Sequence, residues 1–146
     1  MTTSMDIQPN NIFLLDGGTG TELDRRGVDI SLPLWSARAI IDAEDVLKEV
    51  HIAYLNAGAD AIVTNTFRTH ERSLEKAGIG SRSQELTIKA VAIAHDACRE
   101  VNEDALVFGC VAPLEDCYQP ELAPDAATCR KEHSQIISQL VDAGVD

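Results

Sequence analysis

Ile12-Phe13-Leu14-Leu15-Asp16-Gly17-Gly18-Thr19-Gly20-Thr21-Glu22-Leu23 governs the reading of the whole chain. An apolar run of β-forming residues stops at a carboxylate, and a glycine turn follows at once. Glycine permits positive φ and close approach of the backbone to a ligand. An acid that closes a buried strand and faces such a turn is placed for a cationic group and repels a phosphate. Leu23 stands where the dinucleotide fingerprint G-x-G-x-x-G needs its third glycine, and no Gly-Lys-Ser/Thr of a P-loop follows. A tight turn that binds nothing is the other reading of the segment.

Two further apolar runs, 61–64 and 106–110, resemble 12–15 in being apolar almost throughout, as expected of parallel strands covered on both faces. Helical patterns lie between them. Asp42 with Asp45 has the spacing of a capping box, followed by a stripe of Val46, Val50, Ala53, Tyr54 and Ala57 and a stop at Gly58. Ser81 with Gln84 predicts a second helix start, with Leu86, Ala90, Ile93, Ala94, Ala97 and Val101 inward. Asp125 after Pro124 opens a third helix, with Ile136, Ile137, Leu140 and Val141 inward, and a short helix is expected over 72–77. Strand and helix alternate three times, which predicts an α/β fold with a parallel sheet and right-handed crossovers. Leu55-Asn56-Ala57-Gly58-Ala59-Asp60 is echoed by Leu140-Val141-Asp142-Ala143-Gly144-Val145-Asp146. The first copy runs directly into a strand, so a further strand is expected after Asp146.

The 146 residues carry a formal net charge of −12, which argues against nucleic acid or an anionic membrane as partner. The apolar runs are too short to span a bilayer, and Met1-Thr2-Thr3-Ser4-Met5-Asp6 lacks the pattern of a signal peptide. A cytoplasmic setting with reduced cysteines is the expectation.

In parallel α/β folds, ligands bind beyond the carboxyl ends of the strands. Those ends are Asp16-Gly17-Gly18, Thr64-Asn65-Thr66-Phe67 and Gly109-Cys110-Val111-Ala112-Pro113. They offer one anion, several hydroxyl and amide groups and an aromatic face, a set suited to a small zwitterion with Asp16 on its ammonium. For Thr64-Asn65-Thr66 the alternative is that they end a strand and cap a turn.

The segments Leu14 to Leu23, Ala57-Gly58-Ala59-Asp60 and Thr64-Asn65-Thr66-Phe67 resemble the homocysteine S-methyltransferase family. Ala112-Pro113-Leu114-Glu115-Asp116-Cys117-Tyr118-Gln119-Pro120-Glu121-Leu122 is similar to a loop of its bacterial branch. The resemblance runs over almost the whole chain, 1–146, as a single domain. It implies a (β/α)8 TIM-type barrel, a fold of about 250 residues, of which this chain covers the first three βα units. It further implies transfer of a methyl group from a small donor such as S-methylmethionine or S-adenosylmethionine to a zinc-bound homocysteine thiolate, giving methionine. Asp16, Gly17, Gly18, Thr64, Thr66 and Phe67 match substrate-binding positions. Arg68 stands where the betaine-using branch has Tyr, which disfavours betaine. The family's three zinc cysteines and the pocket acid after the fourth strand belong to the second half of the barrel. No zinc is therefore expected on this chain, no catalytic or metal residue is assigned in it, and the chain alone is expected to be inactive.

No C-x-x-C spacing occurs among Cys98, Cys110, Cys117 and Cys129. Cys129 and His133 share a helix face, but Ile137 and Val141 continue it, which reads as core. Cys98 reads as buried, and Cys110 faces the strand-end pocket. His51, His70 and His95 have charged neighbours and read as solvated. Trp35 reads as a packing anchor after Pro33. Besides an enzyme-family member, two other readings remain open: a half-barrel that pairs with itself or with a missing half, and an unrelated small α/β binder.

Overall fold

The computed structural model describes residues 12–146; the reading of Met1 to Asp6 falls outside them. Two strands, β1 (Ala61–Val63) and β2 (Leu106–Phe108), pair in parallel with Ile62 opposite Val107. The expected first strand is reduced to one parallel bridge, Leu15 to Ala61. Two strands and a bridge thus stand where three strands were expected. The cause is local. Asp60 N–H donates to Leu14 O at 2.8 Å and Asp16 N–H to Ala61 O at 3.1 Å. The next donor, Val63 N–H, goes to the Asp16 carboxylate at 2.9 Å, so a side chain replaces the backbone acceptor that would continue the ladder.

Helices α1 (Thr19–Arg25), α2 (Arg38–Asp42) and α3 (Glu44–Asn56) connect the first segment to β1. Helices α4 (Glu71–Glu75) and α5 (Ser83–Val101) connect β1 to β2, and α6 (Ala126–Ala143) follows β2. The α3–α5 pair covers one face of the sheet. There Ile62 and Val107, both 0% exposed, pack with Leu55, Ala94, Ala97 and Cys98. Burying each such aliphatic side chain is worth about 1.5–3 kcal/mol. The alanines on α5 let the helix lie close to the strands. A second cluster, including Leu23, Ile40, Leu47, Val50, Leu86 and Ile93, joins α1, α2, α3 and α5 away from the sheet.

Alternation along the strands turns Val63, Leu106 and Phe108 to the opposite face, where they are half-buried. Ile62 and Val107 belong to the helix side. The Phe13 and Phe108 rings stack with centroids 6.2 Å apart. These rings sit on the two outer segments, with β1 between them, so the sheet curls toward this face.

Several helix details differ from the sequence reading. Asp42 ends α2, and α3 starts from Ala43 with no side-chain cap. Its buried residues are Leu47, Val50, His51 and Leu55, a stripe turned by one residue from the expected one. A 3₁₀ turn, Gly80–Arg82, takes Ser81 out of the capping position before α5. Asp125 does cap α6, accepting Ala127 N–H at 2.9 Å and Thr128 N–H at 3.0 Å. Within α6, Ile136 and Leu140 are buried, but Ile137 and Val141 are 47% and 64% exposed. Among the described residues α6 has packed neighbours along one stripe only, so the face carrying Cys129, His133, Ile137 and Val141 is not core. His51 is fully buried and His70 nearly so, against the expectation that both are solvated.

The sequence echo has a structural counterpart. Gly58 and Gly144 both adopt left-handed backbone, at φ +99° and +89°. Asp60 Oδ2 accepts Leu14 N–H at 2.8 Å, and Asp146 Oδ2 accepts Val107 N–H at 2.9 Å. Asp60 N–H donates to Leu14 O, and Asp146 N–H to Val107 O. Asp146 therefore occupies on the open edge of β2 the place that Asp60 occupies on the first segment.

Candidate substrate pocket at the strand ends

Asp16 is half-buried where the first segment stops. Burial raises its carboxyl pKa, and hydrogen bonds from Val63 N–H and its own amide pull the other way. A carboxylate short of solvent, held by only two backbone donors, gains from a cationic partner. Gly17 and Gly18 follow, and neither has positive φ; Gly18 lies at φ −69°. What Gly17 provides is room: a Cβ there would lie 2.8 Å from the Tyr54 hydroxyl. That hydroxyl donates to Gly18 O at 3.3 Å, so α3 fixes the turn from below. Gly20 serves the same purpose, since a Cβ there would meet the Trp35 ring at 2.7 Å.

Thr64 and Thr66 are buried, with their hydroxyls 2.9 Å apart. Thr66 Oγ1 donates to Cys110 O at 2.9 Å and accepts Cys110 N–H at 3.1 Å. The pair thus stitches the end of β1 to the end of β2 and forms a polar floor between them. Phe67, half-buried, meets Trp35 edge to face with centroids 5.4 Å apart. Burial and the nearby Asp16 charge both push the Cys110 thiol pKa up, which places Cys110 in the field of Asp16 and keeps it protonated. Asp16, Gly17 and Gly18 follow the first segment, and Thr64, Thr66 and Phe67 follow β1, so the two groups stand at the rim formed by neighbouring strand ends.

Sequence reasoning missed the supports behind this rim. Asn65 is buried and donates to Ser36 O at 2.8 Å, tying the loop after β1 to the Trp35 turn. Thr69 continues inward. The Thr87 hydroxyl donates to the Thr69 hydroxyl at 2.8 Å, and the Ser83 hydroxyl donates to Thr69 O at 2.7 Å. His70 caps α4. Its Nδ1 accepts Ser73 N–H at 3.4 Å, which puts the ring proton on Nε2, 3.1 Å from Ser73 Oγ. Desolvation first, and the Arg68 charge second, lower its pKa to about 4. A buried histidine in a cap is not readable from its charged sequence neighbours. The run of Thr and Asn after an apolar strand was the one available signal for the rest.

Beyond the rim, Arg72 holds Glu132 at 2.6 Å and Glu115 at 3.2 Å, joining α4, α6 and the loop after β2. Among the described residues no group of three or more His, Cys, Asp or Glu side chains could hold a metal. The cysteines do not fit a zinc site. Cys98 is buried in α5, Cys110 is protonated, Cys117 is exposed, and Cys129 Sγ donates to Pro124 O at 3.4 Å. No helix among the described residues is long and apolar enough to cross a membrane.

The parallel α/β sheet carries a carboxylate, two threonine hydroxyls and an aromatic ring at its strand ends, the end at which α/β folds bind ligands. Residues 13–146 match the family model described as homocysteine S-methyltransferase, and the chain belongs to that family. It is 30% identical to the homocysteine S-methyltransferase of Escherichia coli K12 over 96% of its own length and 49% of that protein. It is 38% identical to homocysteine S-methyltransferase 3 of Zea mays over 58% of its own length and 25% of that protein. The crystal structure of the Escherichia coli homocysteine methyltransferase MmuM in its metallated form superposes with a TM-score of 0.83 at 29% identity, covering 94% of this chain and 52% of that one. The oxidised form of the same enzyme gives a TM-score of 0.81 at 30% identity, covering 92% and 51%. The chain thus spans about half the length of its bacterial relative.

Proposed function

We propose that this chain forms the amino-acid end of a homocysteine pocket in a (β/α)8 methyltransferase, its segments making up the first three βα units. The reaction moves a methyl group from a small donor to the homocysteine sulfur, giving methionine. The observation that carries this reading is the half-buried Asp16 carboxylate at a parallel strand end, in a chain of this family. Asp16 pairs with the substrate ammonium, whose charge offsets the desolvation that raises the carboxyl pKa. Gly17 and Gly18 let the substrate approach the backbone, Thr64 and Thr66 form the floor, and Phe67 forms a wall. In the complete family domain zinc supplies a thiolate at neutral pH. The described residues offer no ligand set for it, so the thiol end of the substrate lies outside the part they build. Self-association, or pairing with a second barrel half, would cover the sheet face that carries Phe13, Val63 and Phe108.

Titration of the chain with L-homocysteine, followed by calorimetry or amide shifts, tests the pocket. Asp16→Asn keeps the acceptor for Val63 N–H but loses the charge. A charge-assisted contact is worth about 1.5–3 kcal/mol, so affinity should fall by about ten-fold or more. An unchanged affinity would reduce Asp16 to a turn-capping residue. The 146 residues alone should show no methyl transfer. A free thiol with pKa about 8.5 is only a few per cent ionised at neutral pH. Turnover with added zinc, above a chelated control, would refute the assignment of the metal to residues outside this chain.

A further inference from the structure

We propose that Thr69 is a positioning residue for the strand-end site: it carries the seating of α5 and α6 to Thr66 and to the turn that bears Phe67. The inference rests on the homocysteine reading of that site and adds to it a support that stands behind the rim. Thr69 and Thr87 are both 0% exposed, so neither touches a ligand at the rim. Thr64, Thr66, Ser83 and Gln139 are buried as well. A buried hydroxyl is costly unless it is bonded, and Val has nearly the shape of Thr without that cost. Packing alone therefore gives no reason for a row of hydroxyls between α5 and the strand ends.

The bonds run in one direction, from the helices to the rim. On the helix side, the Thr87 hydroxyl donates to Thr69 Oγ1 at 2.8 Å and the Ser83 hydroxyl to Thr69 O at 2.7 Å. Gln139 of α6 joins them, its Oε1 lying 3.1 Å from Ser83 Oγ and 3.4 Å from Thr87 Oγ1. Thr69 is thus held through its side chain and its carbonyl together. Its own proton goes outward. Thr69 Oγ1 and Thr69 N–H each donate to Thr66 O at 3.3 Å, which closes the turn carrying Phe67 and Arg68. The Thr66 hydroxyl then donates to Cys110 O at 2.9 Å. A hydroxyl has one proton to give, so the bond of 2.9 Å between the Thr64 and Thr66 hydroxyls takes its proton from Thr64. Cys110 N–H, donating to Thr66 Oγ1 at 3.1 Å, completes the series. A buried network bonded throughout holds one geometry, and this one starts on α5 and α6 and ends at the residues proposed to floor the pocket.

The test compares the full chain with Thr69→Val, Thr69→Ser and the double variant Thr69→Val/Thr87→Val. Calorimetry reads L-homocysteine affinity, and amide hydrogen exchange is followed at Cys110 and Ala94. The Cys110 amide reports the rim, and Ala94, fully buried on α5, reports opening of the core. Thr69→Val removes the outward bond and leaves the Thr87 hydroxyl without its acceptor. It should weaken L-homocysteine about five-fold or more and speed exchange at both amides. The double variant removes both partners. Exchange at Ala94 should then return toward the wild-type rate, while exchange at Cys110 stays fast and the affinity loss remains. Thr69→Ser keeps the hydroxyl and should bind within about two-fold of wild type. Affinity that recovers with Ala94 in the double variant would make Thr69 a stability element and overturn the positioning role. Thr69→Ser as weak as Thr69→Val, or Thr69→Val that binds like wild type, would overturn it too, and in all three cases the pocket reading stands. Wild-type chain that binds no L-homocysteine would overturn the pocket reading, and this role falls with it.

Discussion

Ile62 and Val107 have no exposed surface beneath α3 and α5, whereas Leu15, bridged to the residue before Ile62, keeps 56% of its surface exposed. All three are aliphatic and lie on adjacent segments of one sheet. They differ in what the chain supplies to cover them. The helices needed to bury one face come from the same stretch of sequence as the strands. Among the described residues, the other face carries the stacked pair Phe13 and Phe108. In this α/β unit, then, the helix side is completed locally, and among the described residues the opposite face is not.

That contrast can be broken by mutation. Ile62→Ala removes a fully buried side chain and should cost about 2–5 kcal/mol in chemical denaturation, while Leu15→Ala should cost well under half as much. Equal losses would mean that the exposed face is covered in solution.

A second test uses acid. His51 lies on the buried stripe of α3, both ring nitrogens are without partners among the described residues, and burial lowers its pKa from 6.5 to about 4. His70 is lowered to about 4 as well. The sign follows directly. Above the unfolded pKa both rings are neutral in either state, and stability is intact. Between 6.5 and 4 only the unfolded chain takes up these protons, so stability falls as pH drops. The loss from His51 reaches roughly 3 kcal/mol at the acid end. His51→Leu should remove one proton's worth of that slope and leave stability at pH above 7 equal or higher. A pH profile unchanged by the substitution would show that water reaches the ring.

A smaller effect probes how closely the helix side is fitted. A Cβ at Gly109 would lie 2.9 Å from Leu140 Cδ1 on α6. Gly109→Ala should cost about 1–3 kcal/mol by overpacking, and the double variant with Leu140→Ala should recover part of it. A neutral Gly109→Ala would mean that α6 shifts freely on β2.

Much of this was legible in the sequence because it depends on local chemistry. The parallel pairing follows from the alternation of apolar runs and helical stripes, and the Asp125 cap and the Gly58 and Gly144 stops follow from short-range rules. The shortening of the first strand was not legible, because it depends on where the Asp16 carboxylate points. Ile137 and Val141 looked buried because apolar spacing does not say how many neighbours a helix has. Nor do charged neighbours in sequence reveal that His51 and His70 turn inward. At the candidate site, the residue types at the strand ends were readable, but the engagement of Thr64 and Thr66 with Cys110 and the seating of Gly17 on Tyr54 were not.

The paired aspartates at the ends of α3 and α6 bear on how so short a ladder keeps its alignment. Strands of three residues carry too little pattern to specify pairing by their own side chains, and a slip by one residue would turn each of them inside out. Asp60 and Asp146 each grip a neighbouring segment at two points, through the carboxylate and the backbone amide, two residues after a left-handed glycine. Alignment is thereby gauged where a helix ends, outside the strands themselves. A sheet assembled this way can vary freely in the composition of its strands, because its indexing marks lie in the connections.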